Sequence, residues 1–384
     1  MKRTSFITFI APLICSVFCH ACSSRSSTTT GEYVIEKYTP CYASGFKITS
    51  APGRQSSMIT VINSWQGNDS TPSHLFISRN GEQPPAGYTG PVLNNQAMRI
   101  ACVSSTYIAM LDALGAADRI VAASSKEYIT TPSIVNRINQ IYDIGFEGSF
   151  NYETLIASNP DLVLLYGIYG NSSIETKLTK LNIPYLYISD YLEESPLGKA
   201  EWIMAVAEVT GTGDKAAQIW EQIPSRYNRL KKIVQDSVTT RPRVMLNTPY
   251  GDSWFMPPSN SYMVTLITDA GGDYIYTHNH SGMSLPIDME QAYMLTSECD
   301  YWLNTGTYGT IDELQQRYPR IADAPCVSQR HIYNNTRLTN TAGGNDFYES
   351  GVIHPDIILH DLVQIFHPSL TPADTTMTYY RRLE

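Results

Sequence analysis

The sequence predicts an α/β protein with two lobes of parallel strands and helices, joined by a long helical connector. Two observations support this prediction: short apolar strands alternate with helices in two parts of the chain, and only helices fill the stretch between them. Such alternation is typical of parallel sheets with helical crossovers. At 384 residues, the chain is long for one average domain and suits two lobes.

The first lobe is predicted over residues 97–193. Its strands are predicted at Met98–Val103, Arg119–Ala123, Leu162–Tyr166 and Ile183–Ile188. The third of these is apolar throughout, as expected for a strand covered by helices on both faces. The helix before it ends ahead of Pro160, because proline disfavours the helical conformation in the preceding residue. Tyr166 and Tyr169 follow the strand, where ligands of open α/β sheets bind.

The connector is predicted over residues 194–241, which contain no strand pattern. Leu197–Thr210 and Asp214–Gln235 have helical character on either side of a Gly-Thr-Gly break. The second helix would extend about 33 Å at ~1.5 Å per residue, which is long enough to join two lobes. Pro224 lies within it and is predicted to kink or divide it, because proline removes a backbone hydrogen bond.

The second lobe is predicted over residues 242–384. Predicted strands are Val244–Asn247, Tyr274–Tyr276, Tyr301–Leu303 and His331–Tyr333, and predicted helices are Tyr262–Ala270, Met289–Leu295, Leu314–Tyr318 and Ile357–Phe366. Glu290 begins a helix that precedes an Asp-led apolar strand, as Glu153 does in the first lobe. The second lobe therefore echoes the first.

An export signal is predicted over residues 1–21. Lys2 and Arg3 precede the apolar stretch Phe6–Phe18, which has the length of a secretory signal and is too short to span a bilayer. Ala21 and Cys22, followed by serines, resemble the bacterial lipoprotein signal. We therefore predict lipidation of Cys22 and a protein anchored in the cell envelope, facing the periplasm. Cleavage without lipidation is the alternative.

Residues 22–96 are predicted to form a tether and then a β-rich N-terminal extension. Strand patterns at Phe46–Thr49, Met58–Ile62 and Leu75–Ser78 alternate with Pro, Gly and Ser clusters. We expect these strands to pack on the main body instead of forming a separate domain.

Composition and cysteine spacing exclude several classes. The formal charge is -9 and no run of Lys or Arg exceeds two residues, so nucleic-acid binding is not predicted. The cysteines lack metal-site spacing. Cys102 is predicted to be a buried thiol, and a Cys299–Cys326 disulfide is open. His278 and His280 are predicted to be exposed in a loop, with metal or haem-iron ligation as the alternative. We predict no metal site and no covalently bound cofactor.

Several landmarks follow one another in a consistent order between Arg99 and Pro368. They are Arg99-Ile100 with Ala113-Leu114-Gly115, Asn151-Tyr152-Glu153 with Pro160-Asp161-Leu162-Val163, the long helices, Ile267–Gly272 and the Glu290 block. In order and spacing they resemble the substrate-binding proteins of ABC importers for iron chelates and vitamin B12. The resemblance implies two Rossmann-like lobes, a rigid helical linker, and a ligand in the cleft between the lobes. It also implies a monomer that is not an enzyme.

The resemblance implies that Glu153 and Glu290 dock into arginine pockets of a permease dimer, which works with its ATPase. A carboxylate at a helix N-terminus is stabilised by the helix dipole, and it can accept paired hydrogen bonds from arginine. The alternative is that both are ordinary first-turn acids.

Candidate ligand contacts come from the resemblance and from loops after strands. They are Lys126, Tyr128, Phe146, Phe150, Tyr166, Tyr169, Trp254, Phe255, Asn345, Asp346 and Tyr348. Aromatic rings suit a planar macrocycle or an aryl chelate, so the expected ligand is a corrinoid, a ferric siderophore or haem, and the rings together with Asp346 favour a corrinoid. Core packing is the alternative for each ring. Gly251–Phe255 and Gly343–Asp346 are the preferred contacts, because both are predicted to be loops.

Two other functions stay open. One is a hydrolase-like periplasmic enzyme that acts at the cleft, with Asp346 or His280 as acid or base. The other is a surface lipoprotein that captures a ligand without a permease.

Overall fold

A computed structural model describes residues 32–65, 72–146, 149–167, 173–372 and 375–384. The predicted signal peptide, Cys22 and Tyr169 lie outside the described residues. Within those ranges the chain forms three five-stranded sheets and two small two-stranded ones. The predicted α/β class with two lobes and β-rich N-terminal strands is confirmed.

The N-terminal sheet is formed by the extension. Its strands are β1 (Ile35–Tyr38), β2 (Phe46–Ser50), β3 (Ser57–Val61), β4 (Ser73–Ser78) and β5 (Val92–Asn94). They lie side by side in chain order, antiparallel except for the last pair. Phe46, Ile59 and Leu75 belong to the same hydrophobic core as the first lobe, so this sheet packs on that lobe as expected.

The first lobe has a fully parallel sheet in the order β12-β11-β6-β7-β8. In chain order its elements are β6 (Ile100–Cys102), α1 (Ser105–Ala113), β7 (Ile120–Ala123), α2 (Pro132–Val135), β8 (Tyr142–Asp143), β9 (Gly145–Phe146), β10 (Ser149–Phe150), α3 (Tyr152–Ser158), β11 (Leu162–Leu165), α4 (Ser173–Lys180) and β12 (Tyr185–Tyr187). All four predicted strands are present. The strand that sequence reasoning missed in this sheet, β8, has two exposed residues and no apolar run.

Three helices form the connector: α5 (Pro196–Glu201), α6 (Ile203–Thr210) and α7 (Gly213–Ser237). The prediction that Pro224 divides the last of these is wrong, because α7 continues through it for 25 residues. Ile223, Tyr227 and Val234 on α7 are buried in the core of the second lobe. The stabilisation from this packing outweighs the stability lost with the one backbone hydrogen bond that proline removes.

The second lobe has a sheet in the order β15-β13-β17-β18-β19, parallel except for its last strand. In chain order its elements are β13 (Arg243–Leu246), β14 (Ser253–Met256), α8 (Tyr262–Asp269), β15 (Asp273–Tyr274), β16 (Leu285–Asp288), α9 (Met289–Thr296), β17 (Tyr301–Leu303), α10 (Ile311–Arg317), α11 (Pro325–Ser328), β18 (Ile332–Asn334), α12 (Pro355–Phe366) and β19 (Arg381–Arg382). The prediction of a loop over Gly251–Phe255 is wrong in its second half, because β14 pairs with β16 in an antiparallel ribbon.

Two buried glutamates, Glu193 at the end of the first lobe and Glu201 on the connector, hold the segment between β1 and β2. Glu201 is 0% exposed. Its carboxylate accepts hydrogen bonds from the Tyr38 hydroxyl (2.6 Å) and from the backbone N–H groups of residues 41, 42 and 43. Glu193 accepts hydrogen bonds from the backbone of Ser44 and Gly45 and from the indole of Trp202.

A third glutamate, Glu208 on α6, binds the sheet itself. It accepts hydrogen bonds from Lys37 Nζ (2.7 Å), Ser57 Oγ (2.6 Å) and Arg79 Nη2 (3.3 Å). Burial acts to raise the pKa of Glu208, but the hydrogen bonds from Lys37 and Ser57 and the two positive charges outweigh it, so the pKa lies below its usual value. The extension is thus held by charge-assisted hydrogen bonds as well as by shared core.

The cysteines and loop histidines agree with the sequence-based expectations where the structure tests them. Cys102 is buried, and the sulfur atoms of Cys299 and Cys326, both buried, lie 2.8 Å apart as thiols. His278 and His280 are exposed. None of the described helices is both long enough and apolar enough to cross a membrane.

Candidate functional site: the cleft between the lobes

The two lobes touch through a pair of loops, residues 126–131 after β7 and residues 338–349 after β18. We call this contact the interlobe clasp. The Asn340 amide donates hydrogen bonds to the carbonyls of Glu127 (2.9 Å) and Ile129 (3.1 Å). A Cβ at Gly344 would lie 1.9 Å from the Tyr128 carbonyl oxygen, so no larger residue fits there. The clasp therefore brings the backbones of the two lobes into direct contact.

Glu349 forms the buried part of the clasp. It is 1% exposed, and its carboxylate accepts hydrogen bonds from the backbone N–H groups of Thr130 (2.9 Å) and Thr131 (2.8 Å) and from the Thr131 hydroxyl. Burial raises the pKa of Glu349, and the hydrogen bonds from these threonines offset part of the rise. A carboxylate of the second lobe thus satisfies backbone donors of the first.

Asp346 and Asn345, two predicted ligand contacts, also serve the clasp. Asp346 accepts hydrogen bonds from the hydroxyls of Thr130 (2.9 Å) and Ser350 (2.5 Å). The Asn345 side chain accepts the backbone N–H of Phe347 and so stabilises the turn. Asp346 and Lys126 line one cavity of about 660 Å³ beside the clasp, so the structure does bring these two predicted residues together.

A second cavity, of about 710 Å³, has walls from three parts of the chain. We call it the interlobe cavity. Asn63 and Trp65 come from the extension, residues 191–194 from the first lobe, and residues 258–262 and 282–284 from the second. The first-lobe wall follows the carboxyl end of β12, and residues 258–262 belong to the crossover from β13 to α8. Ligands of open α/β sheets bind outside the carboxyl ends of the strands.

Tyrosines line the interlobe cavity from both lobes. Tyr191 lies on the first-lobe side and Tyr262 on the second. The ring of Tyr166, a predicted contact, packs on Tyr191 with its centroid 4.6 Å away. Sequence reasoning missed Tyr191, although it follows a predicted strand as Tyr166 does. It also missed Tyr262, which begins a helix and had no such signal.

A buried ion pair lies beside Tyr262. Lys199 Nζ is 3.0 Å from Asp190 Oδ2 and 5.1 Å from the centroid of the Tyr262 ring. Burial, the neighbouring Tyr348 and the charge of Asp190 all raise the pKa of Tyr262. Tyr262 therefore presents a neutral phenol at the wall of the cavity.

The other predicted aromatic contacts fall into three groups. Tyr128, Phe146, Phe255 and Tyr348 have exposed side chains; Phe146 and Phe255 lie in the two small two-stranded sheets, whereas Tyr128 and Tyr348 belong to the clasp loops, with Tyr348 near Tyr262. Phe150 lines a surface cavity together with Glu153 and so belongs to that side of the first lobe. Trp254 is 1% exposed, and its indole N–H donates to the Leu246 carbonyl at 2.8 Å. Trp254 is therefore a core residue in this structure.

Glu153 and Glu290 have matching local surroundings. Each is exposed in the first turn of its helix, α3 or α9. In each helix the N-cap side chain two residues earlier accepts a backbone N–H: Asn151 accepts that of Thr154 (3.0 Å), and Asp288 accepts that of Gln291 (2.8 Å). Glu290 also forms an exposed ion pair with Arg320 at 3.0 Å. The echo seen in the sequence thus has a structural counterpart.

The fold and the cavity define a two-lobed binding protein. The chain belongs to the periplasmic binding protein family, whose family model matches residues 100–336. The match begins at β6, so the N-terminal sheet lies before the matched region.

Similar proteins are known from sequence and from structure. An uncharacterised lipoprotein of Methanocaldococcus jannaschii is 24% identical over 311 residues, which cover 76% of this chain and 72% of that protein. A periplasmic haem-binding protein from Pseudomonas aeruginosa has a TM-score of 0.58 at 16% identity, covering 75% of this chain and 98% of that chain. The siderophore-binding protein FhuD from Vibrio cholerae, solved with Fe3+-Desferal, has a TM-score of 0.52 at 18% identity. The match covers 70% of this chain and 99% of that chain. At these identities the structures show a shared fold.

Proposed function

We propose that this chain is the substrate-binding lipoprotein of an ABC importer and that it captures a ferric chelate, haem or a ferric siderophore, in the interlobe cavity. The observation that carries the proposal is the cavity itself. It measures about 710 Å³ in a protein of this family, and both lobes supply its walls. Cavities of ~300–1,000 Å³ are typical of small-molecule sites.

The rings around the cavity favour a ligand with a flat apolar face. Tyr191 on one lobe and Tyr262 on the other line the cavity and can pack on such a face, and Tyr166 packs against Tyr191. The structural relatives described above bind haem and a ferric siderophore. Support for the corrinoid favoured from sequence is weaker, because those relatives are described as binding haem and a ferric siderophore and because Asp346, part of the basis for that preference, is engaged in the clasp.

Equilibrium titration of the purified chain tests the proposed function. The probes are haemin, a ferric tris-catecholate, and ferrioxamine as an aliphatic hydroxamate chelate. We expect saturable one-to-one binding of at least one probe, followed by absorbance for haemin and by quenching of protein fluorescence for the two siderophore chelates. The three titrations distinguish haem, an aryl siderophore and an aliphatic siderophore as the class of ligand. A chain that binds none of the three probes is not a ferric-chelate receptor.

Delivery to the importer is proposed to use Glu153 and Glu290, one on each lobe, as contacts for arginines of a permease dimer that works with its ATPase. Both carboxylates are exposed at capped helix N-termini. The Arg320–Glu290 pair is exposed, and such pairs contribute about 0–1 kcal/mol. An arginine of the permease can therefore replace Arg320 at small cost. One monomeric chain per permease dimer is sufficient for this geometry.

Attachment to the cell envelope is proposed to use a lipid on Cys22. A serine-rich segment follows Cys22 in the sequence, as in a tether to a lipid anchor. The M. jannaschii relative, which covers most of this chain, is named a lipoprotein. A diacyl modification provides stable anchoring where one acyl chain does not.

A further inference from the structure

The N-terminal sheet reaches the edge of the interlobe cavity. After β3 the chain continues over the carboxyl ends of β11 and β12. The Ser64 carbonyl accepts a hydrogen bond from the Ser189 hydroxyl (3.2 Å), just beyond β12. A Cβ at Gly167, just beyond β11, would lie 2.4 Å from the same carbonyl oxygen. The segment is therefore packed tightly on the first lobe, and only glycine at position 167 permits this approach.

Trp65 is the side chain that this segment brings to the cavity. Its half-buried ring packs edge to face on Tyr187, with centroids 5.9 Å apart. Trp65 and Asn63 also line the interlobe cavity, together with Tyr191 of the first lobe and Tyr262 of the second. Trp65 thus packs on a first-lobe tyrosine and also contributes to the wall of the cavity.

The N-terminal sheet is a fixed part of the first lobe. Its strands share that lobe's hydrophobic core, and the carboxylates of Glu193, Glu201 and Glu208 hold it through hydrogen bonds. The segment that carries Trp65 continues directly from this sheet and is itself hydrogen-bonded to the first lobe through Ser64. The sheet precedes the region matched by the family model, residues 100–336, so this wall lies outside the matched part of the chain.

We propose that Trp65, supported by Asn63, forms a third wall of the ligand site and determines specificity by packing on an aryl or macrocyclic ring of the bound chelate. The inference rests on the proposed function and identifies the ligand as ring-bearing. Aromatic pairs prefer offset or edge-to-face contact with a ring face. A chelate with aliphatic arms offers no such face, so Trp65 discriminates against it.

Titration of Trp65→Ala with haemin, a ferric tris-catecholate and ferrioxamine tests this inference. The affinity for whichever ring-bearing probe binds the wild-type chain is expected to fall about tenfold. Trp65→Phe keeps a ring and is expected to stay within about threefold of wild type. Trp65→Leu keeps apolar bulk without an aromatic face and is expected to lose affinity as the alanine variant does. If thermal unfolding shows that Trp65→Ala is poorly folded, Trp65→Leu takes its place in the test.

Trp220→Ala is the matched control. Trp220 is also half-buried and also contacts the extension, with its ring 6.0 Å from that of Tyr42, but it lies on α7 and is absent from the described lining of the cavity. The affinity of the Trp220→Ala variant for the ring-bearing probe is expected to equal that of the wild-type chain. The inference is overturned if Trp65→Ala binds the ring-bearing probe as wild type does, if Trp65→Phe loses as much as Trp65→Leu, or if the control loses as much.

The wild-type titration separates this inference from the proposed function. A chain that binds only ferrioxamine overturns the role of Trp65 and leaves the proposed function standing. A chain that binds no probe overturns the proposed function, and the inference falls with it.

Discussion

Two groups of glutamates in this chain lie in opposite surroundings. Glu193, Glu201 and Glu208 are buried or nearly so, and their carboxylates are surrounded by donors from the N-terminal extension. Glu153 and Glu290 are exposed in the first turns of short helices. A buried carboxylate is stable only when hydrogen bonds replace water, so the first group holds the structure together. An exposed carboxylate stays available to a partner.

The largest effect is expected at Glu201. Replacing Glu201 with Ala leaves three backbone N–H groups and the Tyr38 hydroxyl without their acceptor. We expect the free energy of unfolding to fall by about 3–5 kcal/mol, measured by urea denaturation. Glu201→Gln keeps one acceptor oxygen, so its free energy of unfolding should fall by less than that of Glu201→Ala. A single ordinary hydrogen bond contributes about 1 kcal/mol to stability. If Glu201→Ala lowers the free energy of unfolding by less than that, Glu201 does not hold the extension in place.

A smaller, pH-dependent effect is expected at Glu208. Because its pKa is lowered in the folded state, the stability it contributes is fully present above the usual glutamic acid pKa of 4.5 and is lost as the pH falls through the lower folded-state value. Glu208→Gln should therefore reduce stability by about 1–2 kcal/mol at pH 7 and flatten the acid limb of a stability–pH profile. Wild-type and variant profiles that stay parallel from pH 7 to pH 3 would contradict this role.

A small effect on stability is expected at Glu153 and Glu290. The double variant Glu153→Lys/Glu290→Lys should lower the free energy of unfolding by about 1 kcal/mol, because each new positive charge opposes a helix dipole and the pair with Arg320 is lost. Ligand affinity should be unchanged. Uptake of the chelate by cells should be abolished, because the lysines repel the proposed permease arginines. Glu221→Lys, an exposed charge reversal on α7, is the control and should transport normally. Normal uptake by the double variant would remove the docking role.

Sequence reasoning predicted the framework because buried parallel strands are apolar on both faces. Strands β6, β7, β11 and β12 were all predicted for this reason, and β17 was predicted with its observed bounds. The exposed positions of Glu153 and Glu290 were also predictable. In each case a capping Asn or Asp stands two residues earlier, and such caps are local signals.

The details of the cleft depend on contacts between distant parts of the chain. Trp65 and Tyr262 are nearly 200 positions apart and meet only across the interlobe cavity. Asp346 lies in a polar loop, as expected, but that loop is used by the clasp. Trp254 lies in a strand whose pairing with β16 spans about thirty residues, and its burial follows from that pairing. The residue type alone does not show whether an aromatic side chain packs in the core or contacts a ligand.

The visible absorption spectrum of the chain purified from its own host tests the central claim most directly, because a receptor isolated with its ligand reports the ligand's identity. The account predicts the bands of an iron chelate, either a haem Soret band or the charge-transfer band of a ferric siderophore. A corrinoid spectrum would contradict it. So would a colourless preparation that then fails to bind haemin, the ferric tris-catecholate and ferrioxamine.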